Sequence, residues 1–459
     1  MIASDIMEAV LRKAVSTGGD YAELFLENTL SGLTHMIDNK VETAVQNRIF
    51  GAGIRIFKGL KSVYACTNDV TLSGLLTAAE KAASAIGSMK RDAAVHLTDR
   101  IFPNIHPVVL VGSTVEAKRK TEIVKSAYYA AKEYGGEISQ ASVSLLDKDS
   151  EICVATTEGF KACDRRIRTR LYVQAIASKG SENQVGSEGP GASVGYEFFE
   201  HIDPAAYAKA AAKQAVTMLH AAYCPAGKMT VAIENGFGGV IFHEACGHSL
   251  EAERVSKGLS QFSGKLGQKI ASEKVTAIDD GTIPGAWGSL NFDDEGTPTQ
   301  RNVLIENGIL KSYMVDKLNG RRMNLPSTGS GRRQGYLYAP VSRMTNTYIA
   351  EGKDDNEKII KTMESGLYAK KMGGGSVNPV TGEFNFAVTE GYLVKNGVIG
   401  EPVRGASLIG KGSEILIDID MVGKNLAHGQ GMCGAESGSI PTNVGQPLIR
   451  VKSITVGGR

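Results

Sequence analysis

Twice in its first half the sequence runs from a helical stripe through strand-patterned residues into an Ala-rich helix, and any fold has to accommodate both runs. Ile6, Val10 and Leu11, with Ala9 and Val15, make the first stripe, and Gly18 and Gly19 end it. Residues 21–67 carry apolar, β-branched and aromatic side chains and are expected as strands broken at Gly32, Asp38-Asn39, Gly51 and Gly59. An Ala- and Leu-rich helix is expected over 72–85. The stretch 87–112, with Pro103 and Pro107, reads as a long connection. A helix at 115–134, strands over 138–185 and an Ala-rich helix at 204–222 then repeat the order. After Cys224-Pro225 glycine becomes dense, at Gly329-Ser330-Gly331, at Gly373-Gly374-Gly375 and through 429–434. Apolar strands lie between these clusters, which predicts tight turns and close backbone approaches.

The pattern predicts an α+β protein. Its 459 residues are too many for one core. An N-terminal helix and antiparallel-sheet domain is expected over 1–222, in two parts at about 1–88 and 112–222 whose matching order suggests duplication. A β-rich C-terminal domain carrying the chemistry is expected over 228–459. With 51 Lys and Arg against 49 Asp and Glu, no global field draws the chain to nucleic acid or an anionic membrane. Arg165, Arg166, Arg168 and Arg170 read as shared faces of a strand, solvated at the surface. Asp5, Glu8, Arg12 and Lys13 interrupt the first residues, unlike a secretory signal, and no apolar run approaches the roughly 18 residues of a membrane span. Six cysteines scattered through a long chain argue against a disulfide framework, so they are expected mostly reduced, in a cytoplasmic protein.

The most informative segment is Gly239-Val-Ile-Phe-His243-Glu244-Ala-Cys-Gly-His248. It is similar to the His-Glu-x-x-His helix of zinc peptidases, where two imidazoles bind metal and the carboxylate activates water, but one more residue separates the histidines. Five positions along an α-helix are about 140° apart, so both rings reach one ion only if the helix carries a π-bulge or ends near Gly247. A catalytic site needs a third ligand, for which Glu251, Cys246, His428 and Cys433 are candidates. Cys433 is chosen because the glycines of Gly429-Gln-Gly-Met-Cys433-Gly434 allow the backbone to bring a thiolate close. Two imidazoles and a thiolate leave one zinc with a formal +1, and Glu244 is then the expected general base.

These segments resemble the TldD/PmbA family of metallopeptidases, specifically its catalytic TldD type. Besides the histidine segment, the likeness rests on Asp293-Asp-Glu-Gly-Thr-Pro-Thr-Gln-Arg301, Thr328-Gly-Ser-Gly-Arg-Arg333, Pro340-Val-Ser-Arg-Met-Thr-Asn-Thr347, Met432-Cys-Gly434 and Gly445-Gln-Pro447, and it spans nearly the whole chain. The resemblance implies His243, His248 and Cys433 as zinc ligands, Glu244 as base, and Cys246 in packing. It also implies a homodimer, or a heterodimer with a PmbA-like paralogue, enclosing a chamber for short or unfolded peptide substrates. The competing readings are a non-catalytic PmbA-like binding subunit and a metal-dependent amidase acting on small amides.

Other signals are weaker. Gly405-Ala-Ser-Leu-Ile-Gly410-Lys411-Gly412 matches a phosphate-binding loop up to its lysine, but Gly412 replaces the magnesium-binding hydroxyl and a strand is expected at 415–419. Asp293-Asp294-Glu295 suits either a substrate path or an acidic turn. Arg332 and Arg333 suit a carboxylate, a dimer partner or internal ion pairs, and Trp287 suits packing.

Overall fold

The computed structural model describes residues 2–89, 92–378 and 380–459. The chain opens with α1 (Ser4–Val15), β1 (Tyr21–Ile37), β2 (Lys40–Lys58), β3 (Lys61–Thr67) and α2 (Leu72–Ile86). After β4 (Thr98–Asp99) come α3 (Ala117–Lys132), β5 (Ile138–Thr156), β6 (Phe160–Lys179), β7 (Glu182–Glu188), β8 (Gly191–Ala192), α4 (Phe198–His201) and α5 (Pro204–His220). The two runs share one eight-stranded sheet of order β3-β2-β1-β5-β6-β4, joined where β1 pairs antiparallel with β5. Asp38 and Asn39, at φ 49° and 61°, form the tight turn between β1 and β2.

Gly32 and Gly51 do not break their strands. A Cβ on Gly32 would fall 2.6 Å from Asp147 Oδ2, and one on Gly51 would fall 2.4 Å from the Tyr336 ring. These glycines admit close neighbours from distant parts of the chain.

Side-chain alternation divides the sheet. Leu24 and Leu26 of β1, with Cys153 and Ala155 of β5, pack under α1 and α2, while Val143, Leu145, Leu171 and Val173 pack under α3 and α5. The opposite face presents Phe25, Ile152 and Val154 to Phe292 of the C-terminal region. Cys153 and Cys163 face each other across β5 and β6 and are joined as a disulfide, while the other four cysteines are free, in line with the expectation that most are reduced.

The C-terminal region adds a second eight-stranded sheet, through Gly227–Ile233, Ser365–Val377, Glu383–Lys395, Ser407–Lys411 and Ile449–Gly457, and a six-stranded sheet. In the latter, Asn346–Ile349 is followed by Gly438–Gln446 and, at the edge, Ala427–Ala435. Between the sheets lies the helical segment 237–250, whose Phe242, Ala245, Cys246 and Leu250 sit in the large C-terminal core. The expected strand at 415–419 is instead the helix Gly412–Asp418. Gly410 and Lys411 continue a strand paired with Glu383–Lys395 where a phosphate-binding loop would be needed, and a Cβ on Gly412 would meet Ala245 O at 2.0 Å. Among the described residues no helix is long and apolar enough to cross a membrane.

Candidate metal centre

The extra residue between the histidines is absorbed by a π turn. Val240–Phe242 is α-helical, His243–Gly247 is a π-helix, and His248–Leu250 tightens to a 3-10 turn. The His248 amide donates to the His243 carbonyl, five residues back, which stacks the two side chains on one face. Their ring centroids lie 5.0 Å apart, nearly perpendicular at 82°. Gly247 has ordinary helical dihedrals, and its lack of a side chain makes room for Met344, whose Sδ would lie 2.3 Å from a Cβ there. Gly239 brings the segment against Gly438–Gln446, since its Cβ would lie 2.5 Å from Gly445 backbone atoms.

That approach delivers Cys433. It sits opposite Ile440 in the hairpin of Ala427–Ala435 and Gly438–Gln446, 7% exposed, with Sγ 3.3 Å from Nε2 of both His243 and His248. The three donor atoms all lie within 4.8 Å of one another. Two nitrogens and a sulfur around a tetrahedral zinc, at bond lengths of about 2.05 and 2.3 Å, would place each N and S about 3.5 Å apart, so the spacing fits such an ion. Burial pushes the Cys433 thiol up, but the facing His243 and His248 outweigh it and hold it at about 3, making the donor a thiolate. Burial also opposes the His248 imidazolium, and Glu251 and Cys433 overcome it, raising His248 well above its ordinary range.

Of the other ligand candidates, Glu251 lies behind the cluster, with Oε2 2.9 Å from His248 Nδ1, where it fixes the ring. Cys246 is wholly buried, its thiol pushed up by burial, and donates to the Gly412 carbonyl. His428 packs edge-on to Tyr348 with its Nδ1 buried and unpartnered, and is outside the donor group. Glu244 is the exposed member, its side chain 24% accessible and Oε2 3.7 Å from His248 Nε2, so it borders the cluster on an open side.

Sequence reasoning missed the role of Arg343. It is fully buried and donates to the Cys433 carbonyl at 2.6 Å, to Ser437 Oγ and to the Gly438 carbonyl, fixing the strand that carries the thiolate. Its place in Pro340-Val-Ser-Arg343 was the only signal. The arginines at 166, 168 and 170 are not solvated, because that face of β6 lies under the C-terminal region. Arg166 pairs with Asp294, Arg168 donates to the Trp287 carbonyl, and Arg170 donates to the Gln430 carbonyl. Asp293, Asp294 and Glu295 are all buried in the same seam, where Glu23 binds Arg55 and Arg333, and Arg55 also binds Glu295. Trp287 is packed, as expected, and donates Nε1 to the Gly431 carbonyl at 2.8 Å.

An α+β architecture of three large sheets and a two-stranded one, with a buried histidine–thiolate cluster bordered by a carboxylate, suits a protein of metallopeptidase type. Family models for the PmbA/TldA metallopeptidase match along the chain: domain 1 at residues 22–86, the central domain at 112–219 and the C-terminal domain at 226–458. The chain is 35% identical over 452 residues to the metalloprotease TldD homolog of Buchnera aphidicola from Acyrthosiphon pisum, covering 96% of this chain and 93% of that one. It is 36% identical over 451 residues to the metalloprotease TldD homolog of Haemophilus influenzae, with the same coverage. The chain belongs to the PmbA/TldD family of metallopeptidases. The crystal structure of TldE from Thermococcus kodakarensis shares the fold, with a TM-score of 0.77 at 19% identity over 99% of this chain and 100% of that one.

Proposed function

We propose that this chain is the catalytic, TldD-type subunit of a zinc-dependent peptidase, with one ion held by His243, His248 and Cys433 and Glu244 as general base. The observation that carries the reading is the convergence of three donor atoms within 4.8 Å, two from a π turn and one from a hairpin 185 residues further along (433 − 248). When bound, zinc would supply a Lewis acid and a water of lowered pKa. The chain's own contribution is positional: Glu251 orients His248, Arg343 fixes the Cys433 backbone, and Glu244 stands at the open side to take a proton and pass it to the leaving amine.

The substrates we infer are short or unfolded peptides, reached inside a dimer chamber formed with a second copy or with a PmbA-like paralogue, in the cytoplasm. The similarity to a protein named TldE supports a paralogous partner. The test is hydrolysis of an unstructured peptide, lost on chelation and restored by zinc, with Glu244→Gln keeping the metal and losing nearly all turnover. A chelated protein that cleaves at the parent rate, or a Glu244→Gln variant as fast as the parent, would overturn the assignment.

A further inference from the structure

A cavity of about 660 Å³ lies away from the donor cluster, between the non-helical face of the N-terminal sheet and the C-terminal region. Met432 lines it, while the adjacent Cys433 faces the histidines, so the edge strand separates cavity from cluster. The charge on its walls is unbalanced. Of the acids there, Asp294 pairs with Arg166 and Asp147 with Lys120, while Glu27 accepts from Thr29 and the Tyr336 amide and is the main negative charge acting on Lys148. Four cations lack a carboxylate in ion-pair range among the described residues, and of these Arg170 is taken up by the Gly189 and Gln430 carbonyls and by stacking on Trp287. Arg168 and Arg332, 7% and 2% exposed, donate only to carbonyls, Arg168 to Trp287 and Ser289 and Arg332 to Met344 and Pro441, with no carboxylate in ion-pair range among the described residues. Lys148 has neither hydrogen bond nor ion pair among them.

We propose that this cavity is a binding site for the carboxylate of a peptide, received by Arg168, Arg332 and Lys148. A guanidinium keeps its proton at neutral pH, so burying one without a counter-charge costs free energy that a bound anion offsets. That cost is visible at both arginines. Burial, then Arg332 and Arg166, press Arg168 down to about 9 although Asp294 and Asp164 act the other way, and burial brings Arg332 to about 10 against the opposing effect of Asp294 and Asp279. The carbonyl bonds fix both guanidiniums in advance, so little side-chain freedom is lost on binding. The remaining wall is largely apolar, with Phe25, Leu146, Ile152 and Ile440, which suits an anion carried on an apolar residue over a small inorganic ion. The anion site stands on these cations alone, whereas the choice of a peptide as carrier rests on the peptidase reading.

The experiment is calorimetric titration of the full-length protein with Ala-Ala-Ala-Phe as free acid, as C-terminal amide, and as the amide with Glu in place of the third Ala, with inorganic phosphate as a further arm. The free acid should bind at least about tenfold more tightly than its amide, since hydrogen bonds to a charged group contribute about 1.5–3 kcal/mol. Arg168→Gln and Lys148→Met should each abolish most of that preference while leaving amide binding unchanged. Lys148 makes no bond that the fold needs, so its variant decides the matter if Arg168→Gln unfolds. Tight binding of the Glu-containing amide would assign the carboxylate to a side chain, and tight binding of the free acid alone would assign it to the chain terminus. Equal affinity for free acid and both amides, a preference that survives Lys148→Met, or binding of phosphate alone would overturn the proposal. Preference for the free acid with no cleavage of any peptide would leave the anion site standing and refute the peptidase reading. Cleavage of all three peptides without preference would do the reverse.

Discussion

Gly239→Ala tests whether the close approach of the histidine segment to the hairpin sets the metal centre. The new Cβ would lie 2.5 Å from the backbone N, C and O of Gly445, against 3.4 Å for an ordinary contact, a shortfall of about 0.9 Å (3.4 − 2.5). Backbone in a paired strand cannot rotate away as a side chain can, so the helical segment has to retreat by nearly that distance. Overpacking of this kind costs about 1–3 kcal/mol. The retreat also carries His243 away from Cys433, and a displacement of about 1 Å at a reacting centre lowers turnover on the order of 100-fold. Denaturant unfolding, zinc content after dialysis and peptide hydrolysis measure the three effects. Gly434→Ala is the control, one residue from Cys433 with nothing within 4 Å of its Cβ, and it should be silent in all three. A Gly239→Ala protein with parental zinc content and turnover would show that this approach does not set the cluster, and so would equal losses in the Gly434 control.

Cys433→Ala should abolish tight zinc binding while Cys246→Ala leaves it intact, measured by metal content against a competing chelator, and the opposite result would assign the wrong thiol. Glu251→Gln should weaken zinc binding by about 10- to 100-fold without unfolding the protein, because it releases the His248 ring, and parental affinity would remove Glu251 from the centre. His106 is held down at about 4 by burial and then Arg168, with its Nδ1 accepting the Gly285 amide, so the fold favours the neutral ring. A depressed folded value means that this stability is present above the unfolded value of about 6.5 and is lost as pH falls from there toward about 4. The parent should therefore lose more stability than His106→Asn between pH 7 and pH 5 in urea unfolding, and equal losses would refute the assignment.

What was legible in the sequence was local. The N-terminal helices and hairpins follow from periodicity and from turn residues such as Asp38-Asn39, and the five-residue histidine spacing called for either a π-bulge or a helix end near Gly247, of which the π turn forms. Misreadings arose where a distant segment decides. Gly32 and Gly51 read as breakers because nothing nearby discloses Asp147 or Tyr336 pressing on them. The alternating arginines of β6 share a face as expected, but which face the C-terminal region covers is a tertiary fact. The run at 415–419 is apolar and short, a pattern common to strands and buried helices, and became a helix. At the candidate centre the sequence pointed to the two histidines and the glycine-flanked cysteine whose donor atoms converge. The positioning roles of Glu251 and Arg343 depend on where two further segments land.

The hairpin that carries Cys433 also explains why the N-terminal sheet matters to a cluster it does not touch. An edge strand has one free side and is the part of a sheet most prone to shift. Here its carbonyls are held by side chains from separate elements: Gln430 by Arg170 of β6, Gly431 by Trp287, and Cys433 by Arg343, while Arg332 holds Pro441 on the paired strand. Arg170 and Trp287 also stack, with the guanidinium 5.4 Å from the ring, so one donor helps place the other. A thiolate must sit within a few tenths of an ångström to serve an ion shared with a rigid π turn. Charged and aromatic donors converging on this strand supply that precision, and the docked N-terminal sheet contributes one of them, Arg170, which also supports Trp287. The seam of Arg55, Glu23, Arg333, Asp294 and Arg166 that docks it is therefore part of what positions the centre, although none of its side chains is among the donors.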